Sequence, residues 1–446
     1  MKNVTFAQKK DPCQSFFAKV MSTFEQAAFP KRNTDPEMSN IGVTLSVNMP
    51  GLSSKEASDS SGRHASGIQT LWAKTDSSAF KRIDPETLEP IELASQTKLH
   101  PLLRGPLAAA HAKADPETGD IYNYNLDFGR VATYRIFHTS ATTGETEILA
   151  TFAGKPAYLH SLFLTKDHVI LCVWNSHIKA GGTSILYNNN ILDSIAPFDA
   201  SQPAIWYVVD RRHGRGLVAT YESPAFYCFH TINAWTEPSP TDPSKPDIVC
   251  ELQTYPSLDV LHKFYYENLL STAPGNEQFR GPKGEAARGV FQRYRLPDVP
   301  SPGPRKKGTA VLEYSAPKDA SPELPTMNPA YVTKPHQYTY GIADRGLSSL
   351  ADGLVKWDSA AKIAKYWEAF ANTPGEPIFV GNPEGQAEDD GVLLSVVLDG
   401  IKGSSFLLCL DAATMQEIGR AEVEGVIGFG FHGLHVRSGA NGAVDF

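Results

Sequence analysis

The sequence predicts an all-β protein, on two observations. Short runs of β-branched and aromatic residues, bounded by Gly, Pro, Asp and Asn, recur from residue 40 to the end of the 446-residue chain. The runs VTLSV (43–47), VATYRIF (131–137), VILCVW (169–174), IWYVV (205–209), YTYGI (338–342), VLLSVVL (392–398) and FLLCL (406–410) have the length and composition of strands. The second observation is a weak repeat: IDPETLEP (83–90), ADPETGD (114–120), VVDRRHGRG (208–216) and CLDAATMQE (409–417). Each sets an Asp after an apolar residue and a polar turn before the next strand, the form of a hairpin tip. Unequal spacing excludes a strict repeat. The expectation is a β-propeller whose blades carry insertions, a fold that protects its strand edges by closing on itself.

Helical periodicity is scarce. Residues 15–29 place Phe17, Val20, Met21, Phe24 and Ala28 on one face, within an N-terminal helical segment spanning 1–39, and residues 359–371 (SAAKIAKYWEAFA) form a second candidate. Both read as excursions from a sheet protein, capping one face of it. Residues 282–308, rich in Pro, Gly and basic side chains, read as an inserted loop. Strand patterns of the same kind resume after it, so 1–446 is read as a single domain.

Lys and Arg number 41 against 49 Asp and Glu, a net charge of −8. That leaves no chain-wide attraction to phosphates, and a nucleic acid partner is not expected. Cys13, Cys172, Cys228, Cys250 and Cys409 are far apart and form no C-x-x-C pair, which argues against a disulfide framework and a zinc knuckle. The opening MKNVTFAQKKDP lacks the apolar core of a secretory signal, and no run of 18 apolar residues occurs. A cytoplasmic location is expected. Contact with a membrane surface or lipid droplet is expected too, from the 15–29 apolar face and the nearby Lys9, Lys10, Lys19, Lys31 and Arg32.

Four of the 13 histidines share a setting: His111 in AAAHAKADPETG, His160 in AYLHSLFLT, His230 in FYCFHTINAW and His432 in GFGFHGLHV. Any one of them alone reads as a buried neutral imidazole. Taken together they suggest a dry metal site, because imidazole is the commonest neutral ligand. Separations of 49, 70 and 202 positions exclude a local metal loop. Only strands converging on an axis bring such residues together.

The motifs around these histidines, AHAKADPETGDIYNY (110–124), LHSLFLTKDHVIL (159–171), FHTINAWTE (229–237), ELPTMN (323–328), EPIFVGNPEGQAEDDGVLLSVVLDG (376–400) and GFHGLHV at His432, resemble the carotenoid cleavage oxygenase family. The resemblance runs from about Asp11 to near Arg437. It implies a seven-bladed propeller, with Fe(II) on its axis held by His111, His160, His230 and His432. Family members carry further opening strands before that point, so an incompletely closed ring is expected.

By motif position the resemblance also implies carboxylates behind the ligand histidines: Glu323, Glu388 and, in place of a family glutamate, Asp76. The shorter acid is expected to lengthen or break one histidine contact. Phe163, Phe229, Trp235 and Phe431 are the candidates for walls of an apolar substrate tunnel. The implied reaction uses dioxygen to split one double bond of a carotenoid or apocarotenoid into two carbonyl products. A stilbene is the alternative substrate, with Lys74 near the position where relatives bind a phenol. A non-catalytic propeller binding an apolar ligand or a partner is the alternative outside the enzymes.

Overall fold

All four Asp-containing stretches are hairpin tips. The Asp84 carboxylate accepts the N–H groups of Glu86 and Thr87 at 2.9 Å, and Asp210 accepts those of Arg212 and His213 at 2.8 Å. Asp115 takes the Glu117 N–H at 2.8 Å and Asp411 that of Thr414 at 2.7 Å. In each case a side-chain oxygen turns the backbone and aligns the flanking strands.

The computed structural model describes residues 36–39, 41–52, 67–128, 131–182, 184–185, 191–300 and 305–436. Its strands form six antiparallel sheets of four or five strands, taken almost entirely in chain order, as in propeller blades. The first holds Thr44–Val47, Leu71–Lys74, Ala79–Ile83 and Pro90–Ser95. The second holds Lys113–Ala114, Ile121–Asp127, Thr133–Thr139 and Thr146–Ala153. Phe163–Leu164, His168–Val173, Ala204–Asp210 and Leu217–Ser223 belong to the third. The fourth is built on the long strands Tyr227–Pro238 and Pro246–Tyr255, followed by Val290–Leu296 and Val311–Ser315. Glu323–Thr326, Tyr338–Ala343, Gly353–Asp358 and Ile363–Trp367 make the fifth. In the sixth, Asn372–Pro374 and Ile378–Gly381 both pair with Gly391–Asp399, followed by Ser404–Asp411 and Glu417–Val423.

This corrects the expected seven blades to six among the described residues. The strands from Thr44 to Val423 are used up in six sheets, and the chain between Tyr255 and Val290 is spent on short helices instead. Those helices, Asp259–Lys263, Tyr266–Leu269, the 3-10 turn Pro274–Phe279 and Pro282–Ala286, are the main helical excursion, and the hydropathy pattern gave no sign of them.

The segment 282–308 is not one loop. Val290–Leu296 is a strand between two others of its sheet, and Lys306–Thr309 is also a strand. Phe291, Tyr294 and Leu296 of this strand are buried, while Arg293 and Arg295, which read as loop residues, are paired with Glu251 and Asp247 across the sheet. Residues 359–371 are likewise not helical. Ile363–Trp367 pairs along Gly353–Asp358, so sheet pairing overrides local helix propensity. The helical segment expected at 1–39 lies outside the described residues except for Pro36–Ser39, where Pro36–Met38 is a single 3-10 turn. No helix among the described residues is long and apolar enough to cross a membrane.

The chain divides into two compact units, the first comprising the described residues to Pro197 with Trp206–Thr220, the second Phe198–Ile205 with Tyr221–His435. Trp72, Trp174 and Trp206 are fully enclosed in the first. In the second, Tyr340, Leu354, Phe379, Leu393, Phe406 and Leu408 form one continuous core cluster.

Candidate metal centre

In the first unit, main-chain pairing sets two histidines side by side. The His111 N–H donates to the His160 carbonyl at 3.1 Å, and His111 bridges Ser161 in parallel fashion. The imidazoles meet edge to face with ring centres 4.7 Å apart. Asp76 lies behind them. Its carboxylate accepts from His160 Nδ1 at 2.8 and 3.0 Å and from the Tyr158 hydroxyl at 2.7 Å. The shorter acid therefore does not break the histidine contact, contrary to expectation. Its main chain and side chain are both anchored: Asp76 O takes the Ala108 N–H at 3.0 Å and Asp76 Oδ1 the Ala110 N–H at 3.2 Å.

The second unit contains a pair of the same kind. His230 falls where the pairing of Tyr227–Pro238 with Pro246–Tyr255 slips between Cys228 and Thr231, an irregularity of the type that re-aims a side chain out of the regular alternation. His432 comes from the stretch after the last strand. The two Nε2 atoms face each other at 3.4 Å. Glu323 accepts from His230 Nδ1 and, at 2.6 Å, from the Tyr255 hydroxyl. Burial disfavours the ionised Glu323, but His230, Tyr255 and the Leu324 N–H outweigh it and hold the carboxyl below its ordinary value.

His432 Nδ1 donates to Glu376 Oε1 at 3.0 Å, and the Gly433 N–H to Glu376 Oε2 at 2.7 Å. Glu388, expected in this role, is elsewhere. Its carboxylate accepts the backbone N–H groups of Gln337 and Tyr338 at 2.7–2.9 Å and ties two segments of main chain together. Both acids lie in the EPIF…EDDG motif, and sequence position alone does not say which one reaches the imidazole. Glu376 is placed by its own backbone, whose N–H donates to Gly430 O at 2.9 Å, and by Gly375, where a Cβ would come within 2.7 Å of that same oxygen.

Three of the four imidazoles thus commit Nδ1–H to a carboxylate, which leaves Nε2 as a bare lone pair. Two such lone pairs facing each other, as in His230 and His432, repel unless a cation lies between them. Ligand nitrogens at right angles and ~2.1 Å from an ion are ~3 Å apart, close to the spacing seen. The donor set therefore fits a metal ion of intermediate softness that accepts neutral imidazole.

The tunnel candidates separate into two groups. Phe229 stacks on His230 at 5.9 Å and meets Phe264 edge-on at 6.1 Å; Phe264 meets Phe431 at 5.8 Å, and Phe431 meets Phe429 at 4.8 Å. Phe163 is instead a core residue stacked on Trp206 at 5.8 Å. Trp235 is five positions along its strand from His230, about 17 Å at strand rise, and its Nε1 donates to Glu237 at 2.9 Å. Phe264, at the helical insertion, is not signalled by the sequence because none of the four candidate ligand histidines is near it in the chain. Lys74 is buried in the first sheet, in register with Thr44 and Phe80.

The sequence profile of the retinal pigment epithelial membrane protein family matches residues 3–437. A carotenoid dioxygenase of Neurospora crassa is 40% identical over 98% of this chain and 75% of its own length. A torulene dioxygenase of Gibberella fujikuroi is 40% identical over 97% of the chain and 76% of its own. Among solved structures, a variant of the Synechocystis apocarotenoid oxygenase superposes with a TM-score of 0.65 at 20% identity, covering 82% of this chain and 71% of that one. A profile matched over nearly the whole chain, together with relatives at this identity, shows that the chain belongs to the carotenoid oxygenase family, which includes the retinal pigment epithelial membrane protein.

Proposed function

We propose that the protein is a dioxygenase that cleaves a double bond of a carotenoid or apocarotenoid into two carbonyl products, with His111, His160, His230 and His432 holding one ferrous ion. The observation that carries the reading is that three of the four imidazoles have Nδ1–H fixed on a carboxylate, Asp76, Glu323 or Glu376, in a chain 40% identical to a carotenoid dioxygenase and a torulene dioxygenase. When bound, the iron supplies the centre at which dioxygen is activated toward an alkene.

The rest is the work of the chain. Four neutral ligands leave the charge of the ion uncompensated, and the carboxylates behind His160, His230 and His432 fix which nitrogen of each faces it. Phe229, Phe264 and Phe431 present flat apolar surface to a substrate with few polar handles. Both oxygen atoms of O₂ enter the products, one per carbonyl, so no organic cosubstrate is needed. A substrate dissolved in lipid also requires contact with a membrane surface or lipid droplet. Flotation with vesicles tests that part, and absence of co-flotation refutes it.

The test of the reaction is anaerobic Fe(II) loading followed by incubation with β-carotene, a long apocarotenal, torulene or resveratrol under O₂, reading aldehydes by chromatography. Polyene cleavage that is lost together with iron in His230→Ala supports the reading. An iron-replete, active His230→Ala refutes the ligand assignment. Cleavage of resveratrol alone favours a stilbene substrate, and iron binding without products a ligand-binding propeller.

A further inference from the structure

Each of the three carboxylates behind the histidines receives, besides the Ala110 N–H on Asp76 Oδ1 at 3.2 Å, a fixed donor on its second oxygen. At Glu376 it is the Gly433 N–H at 2.7 Å. At Asp76 it is the hydroxyl of Tyr158 at 2.7 Å, and at Glu323 the hydroxyl of Tyr255 at 2.6 Å. Both tyrosines are buried, Tyr158 in a connection between strands and Tyr255 in a strand, and they belong to different units of the fold. Tyr158 precedes its histidine by two positions, whereas Tyr255 ends the strand that pairs with that of His230. The surroundings of the second contact are tight: a Cβ on Gly289 would lie 3.1 Å from the Tyr255 hydroxyl and 3.2 Å from Glu323 Oε2.

We propose that Tyr158 and Tyr255 are positioning residues for the metal centre, acting through Asp76 and Glu323. This rests on the iron reading above. A carboxylate that accepts only from an imidazole is free to rotate about its own bond and to draw the Nδ1 proton toward itself. A fixed donor on the second oxygen opposes the rotation, at Asp76 together with the Ala110 N–H on Oδ1. It also takes up part of the negative charge, so the proton stays on Nδ1 and the Nε2 lone pair keeps its direction. At Glu376 a backbone N–H fills this place, where no side-chain substitution removes it.

Tyr158→Phe and Tyr255→Phe each delete one oxygen and leave the ring. Each is expected to weaken Co²⁺ binding about tenfold, the worth of one hydrogen bond to a charged acceptor, and to alter the visible spectrum of bound Co²⁺. The control is Tyr221→Phe, which removes a hydroxyl that donates to the Pro297 carbonyl at 2.8 Å and, among the described residues, bonds no carboxylate; it keeps parental affinity and spectrum. In a Glu323→Gln background, Tyr255→Phe costs little further affinity if it acts through that carboxylate. Tyr158→Phe and Tyr255→Phe that bind Co²⁺ as Tyr221→Phe does, with the parental spectrum, overturn this inference alone. A parent that binds no metal overturns the iron site and this inference with it. If Tyr255→Phe fails to fold, Tyr158→Phe alone decides by the same readings.

Discussion

Glu376 and Glu388 make a discriminating pair, since they lie twelve positions apart in one motif and the structure gives them different tasks. Glu376→Ala removes the acceptor of the His432 Nδ1–H at 3.0 Å and of the Gly433 N–H at 2.7 Å. Hydrogen bonds to a charged group contribute ~1.5–3 kcal/mol each, so the gross loss is ~3–6 kcal/mol. Water replaces part of it at the exposed Gly433. What remains is orientation of one ligand, expected to weaken metal binding about 10- to 100-fold, or roughly 1.4–2.8 kcal/mol. Glu388→Ala instead leaves the half-buried N–H groups of Gln337 and Tyr338 without their acceptor, at ~1–3 kcal/mol each. It should lower the stability of the metal-free protein by a few kcal/mol and leave metal affinity unchanged. Anaerobic Fe(II) titration against a competing chelator reads the first effect, and denaturant unfolding of the metal-free protein reads the second. If Glu388→Ala weakens metal binding as much as Glu376→Ala does, the assignment is refuted.

Gly375→Ala should weaken metal binding several-fold without touching a ligand, because the new Cβ meets Gly430 O at 2.7 Å and pushes the His432 segment off Glu376; parental affinity in the same titration contradicts this. His168 is buried, with neither ring nitrogen hydrogen-bonded among the described residues, and burial holds its pKa down at about 4, with Asp167 and Asp210 opposing. Its folded pKa lies below the unfolded value, so the unfolded chain takes up the proton first. Stability is complete above about pH 6.5 and falls by up to about 3 kcal/mol as the pH drops toward 4. His168→Phe should flatten that limb of the unfolding free energy, and an unchanged slope counts against the argument. Phe264→Ala should raise KM for a polyene or change the ratio of aldehyde products, whereas Trp235→Tyr should leave the products as they are. The reverse pattern in product chromatography would return Trp235 to the tunnel wall.

What the sequence discloses here depends on how local the cause is. Hairpin tips were legible because the Asp that bends the chain is bonded to N–H groups two or three positions on, as at Asp84 and Asp210. The four histidines stood out because a polar ring among apolar residues demands an explanation wherever it occurs. The strand Ile363–Trp367 and the count of six sheets were not legible, because pairing partners rather than local propensity decide them.

The carboxylates are the intermediate case. Glu323 and Asp76 were named from motif position, yet nothing local distinguishes an acid that meets an imidazole from one that knots two loops. Glu376 reaches His432 only because Gly375 lets Gly430 approach, a contact between positions 55 apart in the chain. Asp76 is held by a related device: the Ala108 N–H bonds its carbonyl and the Ala110 N–H its carboxylate, the same group that meets His160. The length of an acid therefore does not by itself predict whether its contact survives. The hydrogen bonds made by the backbone on either side of it decide that, and in this chain they lie on segments distant in sequence.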